Sequence, residues 1–384
     1  MSKQAYRFRL YPTKKQVQTL TCTLDLCREL YNAAVQERRD AYRMAGKSIT
    51  YYDQANQLPE MKEIREEYKD IHSQVLQDVL RKADKAFKAF FARCKRGDTP
   101  GFPRYKGKRH FDSFTYPQTG FSLTHDHRVC LSKIGSIKVK MHRPMKEPIK
   151  TCTIKREGDQ WYIVFVGEVE QVPGEASQEA IGIDLGLLHF ATLSDGSTIE
   201  NPRYYRKAEK KLAKQQQALS RKKRGSHRRR KAVKLVAKSH HKVRNQRQDF
   251  LHKESRTLVN AYGTIVFEEL QPAILSRRPK PKQGENGTYL PNGAAAKGGL
   301  NKSIIDAGWG MFQQFCTYKA ENAGRRVLFV NPKYTSQVCS GCGTVKKKAL
   351  SERWHSCECG TELDRDHNAA LNILALGRSV QARA

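Results

Sequence analysis

Four cysteines fall in two close pairs, Cys339-x2-Cys342 and Cys357-x-Cys359, whose inner members are fifteen positions apart. Thiolates spaced in this way can close a tetrahedron around one structural Zn2+, and four soft ligands leave no open position for catalysis. Gly343 and Gly360 directly follow Cys342 and Cys359 and suit tight turns beneath such a site. The second pair is CxC rather than CxxC, so His355 is a possible substitute ligand. The plain alternative is four reduced cysteines with no metal.

Acid is scarce in this chain: 38 Asp and Glu against 71 Lys and Arg, a formal net charge of +33. Where acid does occur, its placement is informative. Asp184 lies inside the apolar run IGIDLG, where an ionised carboxylate is costly without a cation or a metal. Glu268 or Glu269 ends a second apolar run, TIVFEEL. Asp366 follows the cysteine cluster in DRDHNAALNI. Three carboxylates from separate segments could converge at neighbouring strand ends and hold two Mg2+ ions, or Mn2+ in their place. Such ions can activate water and steady the leaving oxygen of a phosphodiester. The competing reading is a set of turn formers and ion-pair partners, with Asp364 and Asp366 at a helix N-terminus.

The elements that must position these residues can be read coarsely. Residues 1–12 alternate as a strand through Tyr6, Phe8 and Leu10. Thr13 and Gln16 form a capping box, followed by a helical stripe from Val17 to Ala34. A second helix runs over 73–95, ended by Gly97 and Pro100. Residues 101–172 read as short strands, so a small β-domain receives two inserted helices. The polar PGEASQE (173–179) reads as a linker. Beyond it come a strand at 180–186, a second with a turn at Asp195-Gly196, and a basic helical stretch over 203–260. A strand at 264–270, a helix at 303–323 and a strand at 326–332 lead to the cysteines. The Pro- and Gly-rich stretch 277–300 reads as a lid or a simple insertion.

The charge balance calls for a polyanionic partner, most simply nucleic acid. In RKKRGSHRRRK (221–231) eight of eleven residues are Lys or Arg. Arg221, Lys222, Lys223, Arg224, Arg228, Arg229 and Arg230 are the candidate phosphate contacts. This run has no aromatic or leucine face for a membrane surface, and no apolar stretch nears the roughly 20 residues of a spanning helix. The first residues lack an apolar signal core, so a cytoplasmic, nucleoid-associated prokaryotic protein with reduced thiols is expected.

Taken in order, GFPRYK (101–106), IGIDLG, RQDFLHK (247–253), the E-x-L of 268–270, DAGWG (306–310), YTSQVCSGCG (334–343) and DRDHNAALNI (364–373) resemble the TnpB family. That family consists of transposon-encoded, RNA-guided nucleases with a RuvC-like domain. The resemblance implies Asp184, Glu268 and Asp366 as the catalytic, metal-binding carboxylates. Glu269, on the opposite strand face, is set aside, and Asp364 becomes a neighbour that can cap. It implies an α+β multidomain fold: a β-barrel wedge domain (1–12 and 101–172), a helical recognition insertion (13–100), and an RNase H-like RuvC domain (180–334 and 361–384) with an inserted zinc-binding module (335–360). It implies a guide RNA and target double-stranded DNA as partners, with Tyr51 and Gln77 near a short flanking motif. Tyr51 could equally be core packing, and Gln77 helix surface. Trp309 and Tyr334 read as packing residues rather than base stackers. A miniature type V CRISPR effector and a non-cleaving RNA-guided repressor are the alternative functions. The oligomeric state is open.

Overall fold

The computed structural model describes residues 2–108, 110–145, 148–169, 179–349 and 351–383. The chain divides into two compact units, residues 1–170 and 171–384. The expected linker, 173–179, lies outside the described residues except for Glu179.

In the first unit, β1 (Ser2–Tyr11) leads into a 32-residue helix, α1 (Lys14–Ala45). The capping box forms as the sequence suggests. Gln16 N donates to Thr13 Oγ1 at 3.3 Å, and Thr13 N donates to Gln16 Oε1 at 3.0 Å. Gly46, at φ 61°, ends the helix in a left-handed turn that a residue with a Cβ resists. Two short helices not apparent in the sequence follow, α2 (Tyr51–Asn56) and α3 (Leu58–Ile64), then one 3-10 turn. Each is too short to show a helical period. The next helix, α4 (Ser73–Lys95), buries Leu76, Leu80, Ala83 and Phe87.

Among the described residues six further strands follow in this unit: β2 (Ser113–Tyr116), β3 (Phe121–Leu123), β4 (Arg128–Leu131), β5 (Gly135–Lys140), β6 (Ile149–Glu157) and β7 (Gln160–Val169). With β1 they form one antiparallel sheet in the order β2-β6-β7-β1-β5-β4-β3. The sheet curls, bringing Phe121 of β3 within 6.4 Å of Phe165 of β7 between ring centroids. Tyr116 at the opposite edge donates to Ser132 O, just past β4, at 3.0 Å. Phe8, Phe114, Tyr116 and Phe165 fill its interior. Full burial of each such side chain stabilises by roughly 1.5–3 kcal/mol.

The second unit is built on a five-stranded sheet. Its strands are β8 (Ala180–Leu185), β9 (His189–Leu193), β10 (Thr198–Glu200), then, after two helices, β11 (Thr264–Glu268), and later β14 (Arg326–Val330), in the order β10-β9-β8-β11-β14. The first three are antiparallel, whereas β8, β11 and β14 are parallel. The basic stretch is two helices, α5 (Tyr204–Ser220) and α6 (His227–Ala261), rather than one. The RKKRGS segment is the turn between them. Gly225 takes φ 83° there, and Ser226 caps α6 by accepting from Arg229 N.

The 277–300 stretch follows α7 (Pro272–Leu275) and holds a small hairpin, β12 (Lys282–Gln283) with β13 (Tyr289–Leu290). It ends inside α8 (Ala294–Ala307). The helix expected at 303–323 is therefore broken: Gly308, at φ 72°, separates α8 from α9 (Trp309–Asn322). A two-stranded ribbon, β15 (Trp354–Ser356) with β16 (Glu362–Asp364), precedes the last helix, α10 (Arg365–Arg383).

Strand alternation sorts the residues of β8 and β11 between two layers. Ile181, Ile183, Ile265 and Phe267 pack into a core with Leu251, Leu258 and Phe312 of α6 and α9. Val266 instead joins Val330 and Ile373, on the α10 side. Every residue of β11 is buried, as a strand covered on both faces should be.

Candidate metal centres of the second unit

The α10 face of the sheet carries Gly182 and Asp184 on β8, and Val266 and Glu268 on β11. The parallel register pairs Gly182 with Val266 and Ile183 with Phe267, so Asp184 and Glu268 fall at matching positions of adjacent strand ends. The third acid depends on how closely α10 can lie on that face. A Cβ on Gly182 would sit 2.2 Å from the Ala370 carbonyl oxygen and 2.6 Å from Leu374 N. At the far end of α10, a Cβ on Gly377 would sit 2.5 Å from Val266 Cγ2. Only residues without a side chain allow this contact. Asp366 lies one turn before Ala370, in the first turn of α10, and is thereby brought beside Asp184.

The electrostatics link Asp184 to the other two acids. Burial, then the Glu268 and Asp366 carboxylates, push Asp184 well above the usual carboxylate range, against the pull of Arg365. Burial also raises Glu268, while a hydrogen bond from Thr335 draws it back. Asp366 is raised by burial and by Asp364, with Arg353, Arg365 and His189 acting in the opposite sense. Oxygen donors that repel one another in this way suit a hard divalent cation, which removes the repulsion. Glu269 is exposed, so the strand separates the two glutamates as alternation requires.

The surrounding side chains fix the acids in place, and little in the residue pattern points to them. Thr335 is buried and donates its hydroxyl to Glu268 Oε1. Gln313 of α9 donates to the Glu268 carbonyl at 3.0 Å. Asp364 caps α10, accepting from Asp366 N at 2.8 Å. Asn368 and Asn372, both buried on α10, donate to Val338 O, each at 2.7 Å, and Asn372 also reaches Thr335 O. Arg365 donates to Ala349 O at 2.7 Å. The N-terminal half of α10 thus binds both the segment that leads into the cysteines and the loop between their two pairs. Of these, Asp364, Arg365, Asn368 and Asn372 lie within the DRDHNAALNI motif, but their spacing alone does not say what they hold.

The four cysteines come together. Among the described residues they form the group of metal-capable ligand atoms gathered within 4.8 Å of one another; the carboxylates are more widely spaced. Cys339 and Cys359 Sγ lie 3.6 Å apart, as do Cys342 and Cys357 Sγ. A tetrahedral ZnS4 site with Zn–S bonds near 2.3 Å has S–S edges of about 3.8 Å, so the set fits zinc and the CxC spacing is no obstacle. Burial alone would raise the Cys339 thiol, but the backbone N–H groups of Cys342 and Gly341, together with His355, bring it down to about 5. His355 stands outside the thiol group as a fully buried neighbour, with Nδ1 against the Lys348 ammonium.

The remaining candidates are distributed between the units. In the first, Tyr51 opens α2, half-buried against the core, with the Arg81 guanidinium 5.3 Å from its ring centroid. Gln77 lies half-buried on α4. In the second, Arg221, Lys223, Arg224, Arg228 and Arg230 are exposed around the turn between α5 and α6, with Lys222 partly covered. Arg229 has a structural engagement, donating to Leu219 O at 3.0 Å across that turn. Trp309 is buried, as a packing residue should be. Tyr334 departs from that expectation, with 49% of its surface exposed. Among the described residues no helix is long and apolar enough to cross a membrane.

A mixed α/β chain with an acid group suited to hard cations and a separate thiolate cluster is the class that fold and site define. Family profiles described as "Probable transposase", "Cas12f1-like, TNB domain" and "Helix-turn-helix domain" match residues 164–278, 309–373 and 1–47. Among the described residues the last span is one strand and one unbroken helix, with no turn between two helices. A protein of Escherichia coli strain K12 named "Putative RNA-guided DNA endonuclease InsQ" is 34% identical over 99% of this chain and 93% of its own. A Streptomyces pristinaespiralis protein named "Putative RNA-guided DNA endonuclease" is 32% identical over 99% and 90%. The chain belongs to the TnpB family. Its fold is also similar to a protein solved in a Cas12f1-sgRNA-target DNA complex, with a TM-score of 0.54, 13% identity, and coverage of 94% of this chain and 82% of that one.

Proposed function

We propose that the protein is a transposon-encoded, RNA-guided endonuclease that cuts guide-matched double-stranded DNA next to a short flanking motif. The observation that carries this reading is the placement of Asp184 and Glu268 at adjacent ends of parallel strands, with Asp366 of α10 beside Asp184, in a chain of this family. The second unit is taken as an RNase H-like RuvC domain (180–334 and 361–384) with an inserted zinc-binding module (335–360). The curled sheet is taken as a β-barrel wedge (1–12 and 101–172), and 13–100 as its helical recognition insertion. Asp184, Glu268 and Asp366 are the residues that hold two Mg2+ ions, or Mn2+. Those ions, when bound, supply Lewis acidity for phosphodiester hydrolysis.

The chain's own residues do the positioning. Thr335 fixes the Glu268 carboxylate, and the Asp364 cap fixes the turn that bears Asp366. Cys339, Cys342, Cys357 and Cys359 would hold one Zn2+, which would stiffen the loop that Asn368 and Asn372 grip. The cationic side chains between α5 and α6 hold nucleic-acid phosphates with little sequence preference. Tyr51 and Gln77 belong to the surface that reads the flanking motif. Net positive charge brings the polyanion to an acidic site that would otherwise repel it.

The fold likeness to a Cas12f1 protein favours, as a second reading, a miniature type V CRISPR effector with the same chemistry. A repeat array beside the gene would select it, and a transposon end the first. A non-cleaving repressor is disfavoured because all three acids are present. The test is to purify the protein from its host, sequence the bound nucleic acid, and supply the matched duplex with Mg2+. A discrete RNA with a variable end and a cut duplex are expected. Bound RNA with an uncut duplex in both Mg2+ and Mn2+ would transfer the assignment to the repressor.

A further inference from the structure

The turn between β14 and the cysteines holds an aromatic residue in an unusual backbone state. Tyr334 takes φ 67°, in the left-handed region that a bulky side chain seldom adopts. The backbone on either side of it is hydrogen-bonded. Asn331 Oδ1 accepts from Lys333 N at 2.9 Å, and the Tyr334 carbonyl accepts from Gln337 N and Val338 N at 2.9 and 3.0 Å. Thr335, the next residue, donates to Glu268. The Tyr334 ring itself is half exposed, and the Lys333 ammonium lies 5.0 Å from its centroid. A strained backbone next to a functional carboxylate is a reason to look for a role in the side chain it displays. An exposed aromatic face beside a cation is the usual platform for an unpaired base and its phosphate.

We infer that Tyr334 and Lys333 form a one-nucleotide platform for single-stranded DNA beside Glu268, the phenol ring stacking an unpaired base and the ammonium meeting its flanking phosphate. The left-handed turn turns the ring outward while Thr335 faces inward. The platform sets which phosphodiester reaches the carboxylates. This rests on the nuclease reading above and adds a positioning residue to it.

Two variants separate the ring from the backbone. Tyr334→Gly keeps a residue at home in the left-handed region and removes the ring; Tyr334→Phe keeps the ring. The first measurement uses full-length protein without guide and single-stranded oligonucleotides carrying 2-aminopurine at successive positions. Wild type and Tyr334→Phe should quench the probe on binding, and Tyr334→Gly should not. The second uses guide-loaded protein and matched duplex. Tyr334→Gly should lower kcat/KM by about 10- to 100-fold and scatter the cut positions, with Tm unchanged or raised. Tyr334→Phe should stay within about twofold, since stacking does not use the hydroxyl. Equal quenching by wild type and Tyr334→Gly, or unaltered cutting by Tyr334→Gly, overturns the platform while the nuclease reading stands. Wild type that quenches but never cuts leaves the platform and removes the nuclease.

Discussion

The four cysteines and the three acids of the second unit are built in opposite ways. The four thiols come from 21 consecutive positions, 339–359, and meet with sulfurs 3.6 Å apart, aided by local backbone N–H groups. The three carboxylates come from positions up to 182 apart, and Asp366 is carried beside Asp184 because α10 lies directly on Gly182. One site is a property of a short segment, the other of the packing of the whole unit. The staples from Asn368, Asn372, Arg365 and Thr335 join them, so the local site serves as a brace for the distant one.

The comparison predicts different failures for the two groups. The largest effect is expected for Asp184→Asn. Losing one metal ligand should remove several kcal/mol of transition-state stabilisation, about 10³-fold in cleavage rate. The same variant should be no less stable without metal, because it removes a partly buried carboxyl from a mutually repelling group; thermal melts with and without Mn2+ test this. Cys339→Ala should act the other way. It should lose one zinc per chain by elemental analysis and lower Tm, with activity falling because the brace fails.

Thr335→Val removes the hydrogen bond to Glu268 and keeps the shape. A loss of about 10- to 100-fold in activity or metal affinity is expected, with little change in Tm. Gly182→Ala places a methyl group against the α10 backbone, which cannot move aside as a side chain can. Overpacking of about 1–3 kcal/mol is expected in denaturant unfolding, together with weakened metal binding as Asp366 shifts. The smallest effect is on pH dependence. Asp184, Glu268 and Asp366 are all raised above their unfolded values. Between the two values the folded state binds more protons, so metal-free stability should fall as pH rises through that window. Asp184→Asn should flatten this slope, and saturating Mn2+ should reverse it by favouring the ionised carboxylates.

The two groups were unequally legible in the sequence. The thiol cluster could be read from spacing alone, because its ligands are close in the chain; only the pairing, Cys339 with Cys359 and Cys342 with Cys357, needed coordinates. Asp184 and Glu268 stood out as acids in apolar strands, but no spacing rule joins them to Asp366. Order and motif resemblance supplied that link. Gly182 was visible in IGIDLG as an ordinary strand glycine; its closeness to Ala370 and Leu374 is a tertiary fact. Lys and Arg in the run at 221–231 favour helix, but Gly225 with the Ser226 cap prevails locally. The short helices α2 and α3 left no period to detect. Tyr334 is exposed where its type suggests packing, because aromatic type predicts burial better than it predicts a left-handed turn.

The most direct test of the central claim is Mn2+ anomalous diffraction from crystals of the wild-type protein and of Asp184→Asn. The account predicts manganese density bounded by Asp184, Glu268 and Asp366 in the wild type, absent or weakened in the variant, with the zinc signal at the four cysteines unchanged in both. Manganese held elsewhere, or held equally by both proteins, would contradict it.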